Sequence, residues 1–179
     1  VTEVKYYQLL QKSILQPLRL TNTLPSDKQK LEGLAQGYAG AENEFGGKDK
    51  VIGEGGLFII NPQFEWTGGG IYSTTDDLAK WGKLLYGGKV IDTTLLLSSA
   101  VPAKLGRDTK YALGVIIRPT SLGIAYGHSG FFPGYMTELI YFPEHQIAAA
   151  IQCNSSDFKN LKISLLKCLV EMVKASKGL

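Results

Sequence analysis

Four strand-length segments crowd into the stretch from residue 111 to residue 152, and the links between them are too short for anything but antiparallel neighbours. The segments are residues 111–118, 123–128, 134–142 and 145–152, joined by Pro119 to Leu122, Phe131 to Pro133, and Pro143-Glu144. A parallel pair would need a crossover of about a dozen residues or more, and none is available here. The last segment sets Ile147, Ala149 and Ile151 on one face and the small Ala148 and Ala150 on the other, as if a helix packed closely there. A helix is expected to follow at once. Phe158, Leu161, Leu165, Leu169 and Met172 recur at helical spacing, while Ile163, Leu166, Val170 and Val173 widen the apolar arc beyond a single stripe.

Before residue 100 the pattern is different. Residues 2–16 read as an amphipathic helix, with Val4, Tyr7, Leu10 and Ile14 on one face, Thr2 as N-cap and Pro17 as its stop. Ser26 to Leu34 has room for a helical turn or two. Residues 36–70 are rich in glycine and poor in periodicity, which marks a functional loop or a lid. Ser73 or Thr74 then caps a second helix, whose apolar face is Leu78, Trp81, Leu84 and Leu85 and whose end is Gly87-Gly88. Asp76 and Asp77 look like a catalytic pair, but a first helical turn favours carboxylates and explains both. The expected class is therefore α+β: a helical and loop region over residues 1–105, and an antiparallel sheet with a C-terminal helix over residues 106–179.

Composition removes several functions. A net charge of +3 with scattered Lys and Arg offers no footprint for nucleic acid. The longest apolar run, Ile147 to Ile151, is far too short to span a bilayer, and no export signal is read ahead of the first helix. Cys153 and Cys168 are expected as two buried thiols, a single bridge being the alternative. His128 and His145 lack zinc-ligand spacing, so neither metal nor cofactor is expected. Gly68 to Gly70 precede no Gly-Lys-Ser/Thr, which excludes a phosphate loop.

Tyr126-Gly-His-Ser-Gly-Phe-Phe-Pro-Gly-Tyr135 carries the chemistry. Acyl transfer needs a nucleophile, a base, and donors aimed at a developing oxyanion. Gly130 leaves the strand bare for an extended ligand, Phe131 follows with an N–H for the carbonyl oxygen, and His128 and Ser129 can offer donors to a carboxylate or a leaving group. A glycine bend with a half-exposed histidine fits the same residue types. No Gly-x-Ser-x-Gly elbow occurs. Ser164-x-x-Lys167 has the spacing of a serine with an amine one turn away, but it falls in the final helix and reads as a solvated surface pair.

Three blocks in register resemble the serine β-lactamase and penicillin-binding-protein superfamily, in its class C, D-alanyl-D-alanine carboxypeptidase and esterase branch. They are Ile14-Leu-Gln-Pro-Leu-Arg-Leu-Thr-Asn-Thr23, the run from Gly68 to Trp81, and Gly127-His-Ser-Gly-Phe-Phe-Pro-Gly-Tyr135 followed by two strands and Asn154. The resemblance implies an incomplete β-lactamase/transpeptidase-like fold. It also implies substrate-carboxylate and proton-network roles for His128 and Ser129, substrate binding at Gly130, and a backbone oxyanion donor at Phe131. By the same resemblance the nucleophilic Ser-x-x-Lys and the Tyr-x-Asn motif belong upstream of Val1, and neither Tyr6 nor Tyr7 is followed two residues later by Asn.

The expectation is thus the C-terminal portion of a serine hydrolase acting on a β-lactam, a D-Ala-D-Ala peptide or an ester. Alone it would be inactive, and its partner would be the missing N-terminal portion or another chain. The family implies a bacterial periplasmic or secreted location. The alternative is a non-catalytic module of the same fold that binds peptidoglycan peptides. Without the upstream strands, an open sheet edge and an uncovered face on the last helix are expected.

Overall fold

The computed structural model describes residues 3–40, 42, 43, 48–157, 159, 160, 162 and 164–178. It divides into two units: residues 1–77, 131–136 and 153–161 form one, and residues 78–130, 137–152 and 162–179 form the other. Residues 78–105, expected with the helical region, group with the sheet.

In the first unit, helix α1 (Tyr6–Leu10) runs into a π-helical stretch, Gln11–Leu15, where the Gln16 N–H reaches the Gln11 carbonyl at 3.0 Å. The helix starts later than the apolar spacing predicts because Lys5 is extended (φ −59°, ψ 141°), and the expected cap Thr2 lies outside the described residues. Strand β1 (Leu24–Pro25) pairs antiparallel with β2 (Ile71–Tyr72), which follows the short helix α2 (Trp66–Gly69). Residues 26–34 form no helix. Gln29 is instead bonded to Phe58 twice, its carbonyl taking the Phe58 N–H at 2.9 Å and its side-chain amide giving to the Phe58 carbonyl at 2.9 Å.

The glycine-rich stretch is pinned at both ends of a small core of Ala39, Val51 and Phe58 with Leu31, Leu34, Phe132 and Tyr135. Gly37 has no room for a side chain there: a Cβ would stand 2.6 Å from the Tyr135 ring. Helix α3 (Thr75–Tyr86) begins as predicted and ends at Gly87-Gly88, with Gly88 left-handed at φ +75°. Capping is not the whole role of its acids. The Asp77 carboxylate is 3% exposed and accepts from the Asn22 N–H at 2.7 Å and the Thr23 hydroxyl at 3.0 Å, tying that connector to the helix start.

The second unit holds helix α4 (Thr93–Leu96) and a six-stranded sheet whose strands lie in chain order. They are β3 (Val101–Pro102), β4 (Lys110–Tyr111), β5 (Ile116–Thr120), β6 (Gly123–Phe132), β7 (Tyr135–Phe142) and β8 (Ile147–Cys153). The predicted strand at residues 111–118 is two strands, because Gly114 at φ +68° turns the chain and the Ala112 N–H closes on the Val115 carbonyl at 2.9 Å. Strand β6 runs four residues beyond the predicted end at His128, up to the turn at Pro133-Gly134, where Gly134 has φ +87°.

Alternation along the strands gives each face its own core. Leu122, Ala125, Ile140 and Phe142 meet Leu169, Val170 and Val173 of helix α5 (Leu165–Lys177), with Ile147, Ala149 and Ile151 beside them. On the opposite face Val115, Leu139 and Tyr141 pack with Tyr86, Leu78, Trp81 and Leu85, and Ala148 and Ala150 join that cluster. The helix against the alanine face is therefore α3, while α5 covers the isoleucines. In α5 the buried stripe is Leu169, Val170 and Val173, and Met172 is exposed. Phe158, Leu161 and Ile163, expected in the same helix, lie outside the described residues. Strand β8 stands at one edge of the sheet, Cys153 and Cys168 are free and half-buried, and no helix among the described residues is long and apolar enough to cross a membrane.

Candidate active site

Strand β6 outruns its neighbour. The ladder with β5 goes from Thr120↔Gly123 to Ile116↔Gly127 and stops there, while β6 continues through His128, Ser129, Gly130 and Phe131, all exposed. Two glycines on this strand have different reasons. At Gly127 a Cβ would come 2.0 Å from the Leu139 carbonyl oxygen, so the sheet itself forbids a side chain. At Gly130 a Cβ would meet Thr137 at ordinary distances, its Cβ at 3.4 Å and its carbonyl oxygen at 4.0 Å. The fold does not require a glycine at 130.

His128 is held at both ring nitrogens. Its Nδ1 lies 2.7 Å from the Ser129 carbonyl oxygen, which can only accept, so Nδ1 carries the proton. In the neutral ring Nε2 is then bare and accepts from the Tyr111 hydroxyl at 3.1 Å. The two rings meet edge to face at 5.9 Å. Strand β4 thus delivers a phenol to the basic nitrogen of the histidine, and the pair can hold or pass a proton.

Ser129 points to the other face, the one shared with Ala125. There the Arg118 Nη1 gives to Glu138 Oε1 at 2.7 Å, the Arg118 Nη2 gives to Ser129 Oγ at 2.7 Å, and Ser129 Oγ gives its hydrogen to Glu138 Oε2 at 2.8 Å. The side chains of Arg118 and Glu138 are 11% and 8% exposed. Ser129 was expected to offer a donor outward, but its single hydrogen already serves Glu138.

Burial pushes the Glu138 carboxyl above the usual carboxylate range, and the Arg118 and His128 charges and the Ser129 hydroxyl pull it back only in part. A carboxyl raised in the folded state contributes stability below its unfolded value and loses it as pH climbs through the folded one. Stability relative to Glu138→Gln is therefore expected to fall as pH rises from about 4.5 through the raised value, measured by urea unfolding across that window. A difference that grows with pH would show that the carboxylate, not the acid, is the favoured form.

Neither other serine–lysine spacing makes a nucleophile. Ser164 caps α5, accepting the Lys167 N–H at 3.3 Å. Ser156-x-x-Lys159 has the same spacing and was not singled out by pattern. Its Ser156 is buried against the Gly134 N–H at 2.8 Å, and Lys159 pairs with Glu42. Pattern reading also missed Tyr111, Arg118 and Glu138. For Glu138 a signal existed: an acid inside the apolar run Met136 to Phe142 demands a buried partner.

A family model described as Beta-lactamase matches residues 1–164. The chain belongs to the beta-lactamase family. No curated protein sequence matches it. Among solved structures, this beta-lactamase-family chain is similar to the D-amino acid amidase from Ochrobactrum anthropi SV3 complexed with L-phenylalanine amide, at 22% identity and TM-score 0.71 over 96% of this chain and 52% of that one. It is similar to the D-stereospecific amidohydrolase from a Streptomyces species at 19% identity and TM-score 0.70, over 86% of this chain and 45% of that one. The octameric penicillin-binding protein homologue from Pyrococcus abyssi matches at 23% identity and TM-score 0.68, over 98% of this chain and 38% of that one. The chain thus spans about half the length of the first of these structural relatives.

Proposed function

We propose that this chain is the C-terminal portion of a serine hydrolase that opens an amide or ester through an acyl-serine, with the attacking serine on polypeptide outside these residues. The observation that carries the reading is Gly130, a glycine that neither backbone conformation nor packing demands, on a strand segment that has outrun its ladder. A bare residue of that kind suits an acyl group laid along the backbone. His128 and Gly130 would face the substrate, Phe131 would give its N–H to the oxyanion, and the His128–Tyr111 pair would hold the proton passed to the leaving group. Ser129 contributes through its bonds to Arg118 and Glu138, which fix this part of the strand. Amides of amino acids are the favoured substrate class, since one of the similar structures is a D-amino acid amidase and another a D-stereospecific amidohydrolase.

The test uses the 179-residue chain and a polypeptide that carries it behind an upstream half, as in the structural relatives. The chain alone is expected neither to hydrolyse nitrocefin nor to gain mass with a fluorescent penicillin, whereas the longer polypeptide gains one acyl adduct. An adduct on the chain alone would refute the claim that the nucleophile lies elsewhere. A longer polypeptide that binds without turnover would favour the non-catalytic module.

A further inference from the structure

Strand β6 meets a pair of aromatic rings where its bare segment ends. By alternation Phe132 stands on the face that holds His128 and Gly130, opposite Ser129. Its ring meets Phe58 edge to face at 5.9 Å and stacks on Phe64 at 5.8 Å, with the planes 25° apart. Phe131, Phe132, Phe58 and Phe64 all fall in the first unit. Phe58 is buried, whereas Phe64 is 62% exposed. The local backbone does not depend on Phe64. The 3₁₀ turn Pro62–Glu65 is set by Asn61, whose side chain takes the Gln63 N–H at 3.1 Å and gives to the Gln63 side-chain oxygen at 2.9 Å, and by the Gln63 amide on the Asp27 carbonyl. A large apolar ring is thus presented to solvent by a turn that other residues hold. The hollow lined by Val51, Phe58, Ile59 and Phe132 has a volume of about 10 Å³, room for one water at most, so an incoming group meets ring faces and not a pit.

We propose that the Phe132–Phe64 stack receives the acyl side chain of the substrate, and that Phe64 sets a preference there for an aromatic ring. This deepens the proposed function and rests on that reading. Direction along β6 assigns the subsite. With the acyl carbonyl on the Phe131 N–H, the groups to either side of it lie along the neighbouring positions of the strand. The His128–Tyr111 pair holds the proton for the leaving group, so the leaving group lies toward residue 128 and the acyl substituent toward residue 132. Phe132 and the ring stacked on it stand at that end. An aromatic side chain gains there from its apolar area and from ring–ring geometry, and a methyl group offers little of either.

The test compares D-phenylalanine amide with D-alanine amide, which share the scissile bond and differ in the acyl side chain. In the longer polypeptide kcat/KM is expected to favour the phenylalanine amide about tenfold or more. Phe64→Ala is expected to cut that ratio about tenfold, and Phe64→Tyr, which keeps the ring, to preserve it. The ratio is insensitive to any loss of folded protein, because both substrates meet the same enzyme. A preference for the alanine amide, or a ratio that Phe64→Ala leaves unmoved, would overturn the proposal. If neither amide nor the penicillin reacts, the hydrolase reading fails instead, and binding decides the subsite. The ring resonances of Phe64 and Phe132 in the 179-residue chain are then titrated with N-acetyl-D-phenylalanine amide and N-acetyl-D-alanine amide. The aromatic ligand is expected to shift both rings and the alanine ligand neither. Unshifted rings, or equal shifts with the two ligands, would sink the proposal.

Discussion

Arg118→Ala is expected to destabilise the chain by about 3–5 kcal/mol, the range for removing one partner of a buried ion pair. The loss is large because of what it leaves behind. Glu138, with its side chain 8% exposed, would keep a carboxylate in the sheet with only the Ser129 hydroxyl to solvate it. The folded state must then protonate that acid or admit water, and either costs. Removing both charges with apolar side chains, Arg118→Met with Glu138→Leu, is expected to restore most of the loss, since such replacements are often neutral or stabilising. Urea unfolding of the two variants beside the parent checks both statements. A single-variant loss under about 1 kcal/mol, in the range of exposed pairs, would show that the pair is solvated rather than buried.

In a longer polypeptide with the proposed activity, His128→Ala is expected to slow turnover about a hundredfold or more, the usual scale for a general acid–base group or an oxyanion contact. Stability should hardly change, because the ring is exposed and its two hydrogen bonds, to Tyr111 and to the Ser129 carbonyl, lie at the surface. Tyr111→Phe separates position from chemistry. It keeps the edge-to-face ring at 5.9 Å and deletes the donor to Nε2, so it should act on rate and on its pH profile more than on KM. Steady-state kinetics with an amino acid amide measures all of this. An unchanged rate in His128→Ala would take the residue out of the mechanism.

Much of the frame was legible before any coordinates. The tight links at Pro119 to Leu122 and Pro143-Glu144 required antiparallel neighbours, and β5 to β8 are consecutive in the sheet. Thr74, Asp76, Asp77 and the Gly87-Gly88 pair bounded α3 because capping and left-handed glycine are local effects. The errors arose where local preference was outweighed. Residues 26–34 have room for a helical turn or two, but Gln29 is bonded to Phe58 across the chain through its carbonyl and its side-chain amide. Residues 111–118 have strand composition, but Gly114 turns them into a hairpin. The alanine face of β8 asked for a helix, and only packing could say that α3, not α5, supplies it.

The candidate site divides in the same way. His128, Ser129, Gly130 and Phe131 stood out because a histidine and a hydroxyl beside a bare residue are a property of adjacent positions. Tyr111, Arg118 and Glu138 lie 17, 11 and 9 positions from the residues they bond, so no short motif contains them. Adjacency is written along the chain and survives reading one residue at a time. Which phenol reaches a ring nitrogen, and which carboxylate consumes the hydrogen of Ser129, depends on strand register. Register exists only once separate strands have paired, because it is the sheet's hydrogen bonding and its two packed faces that bring distant positions side by side.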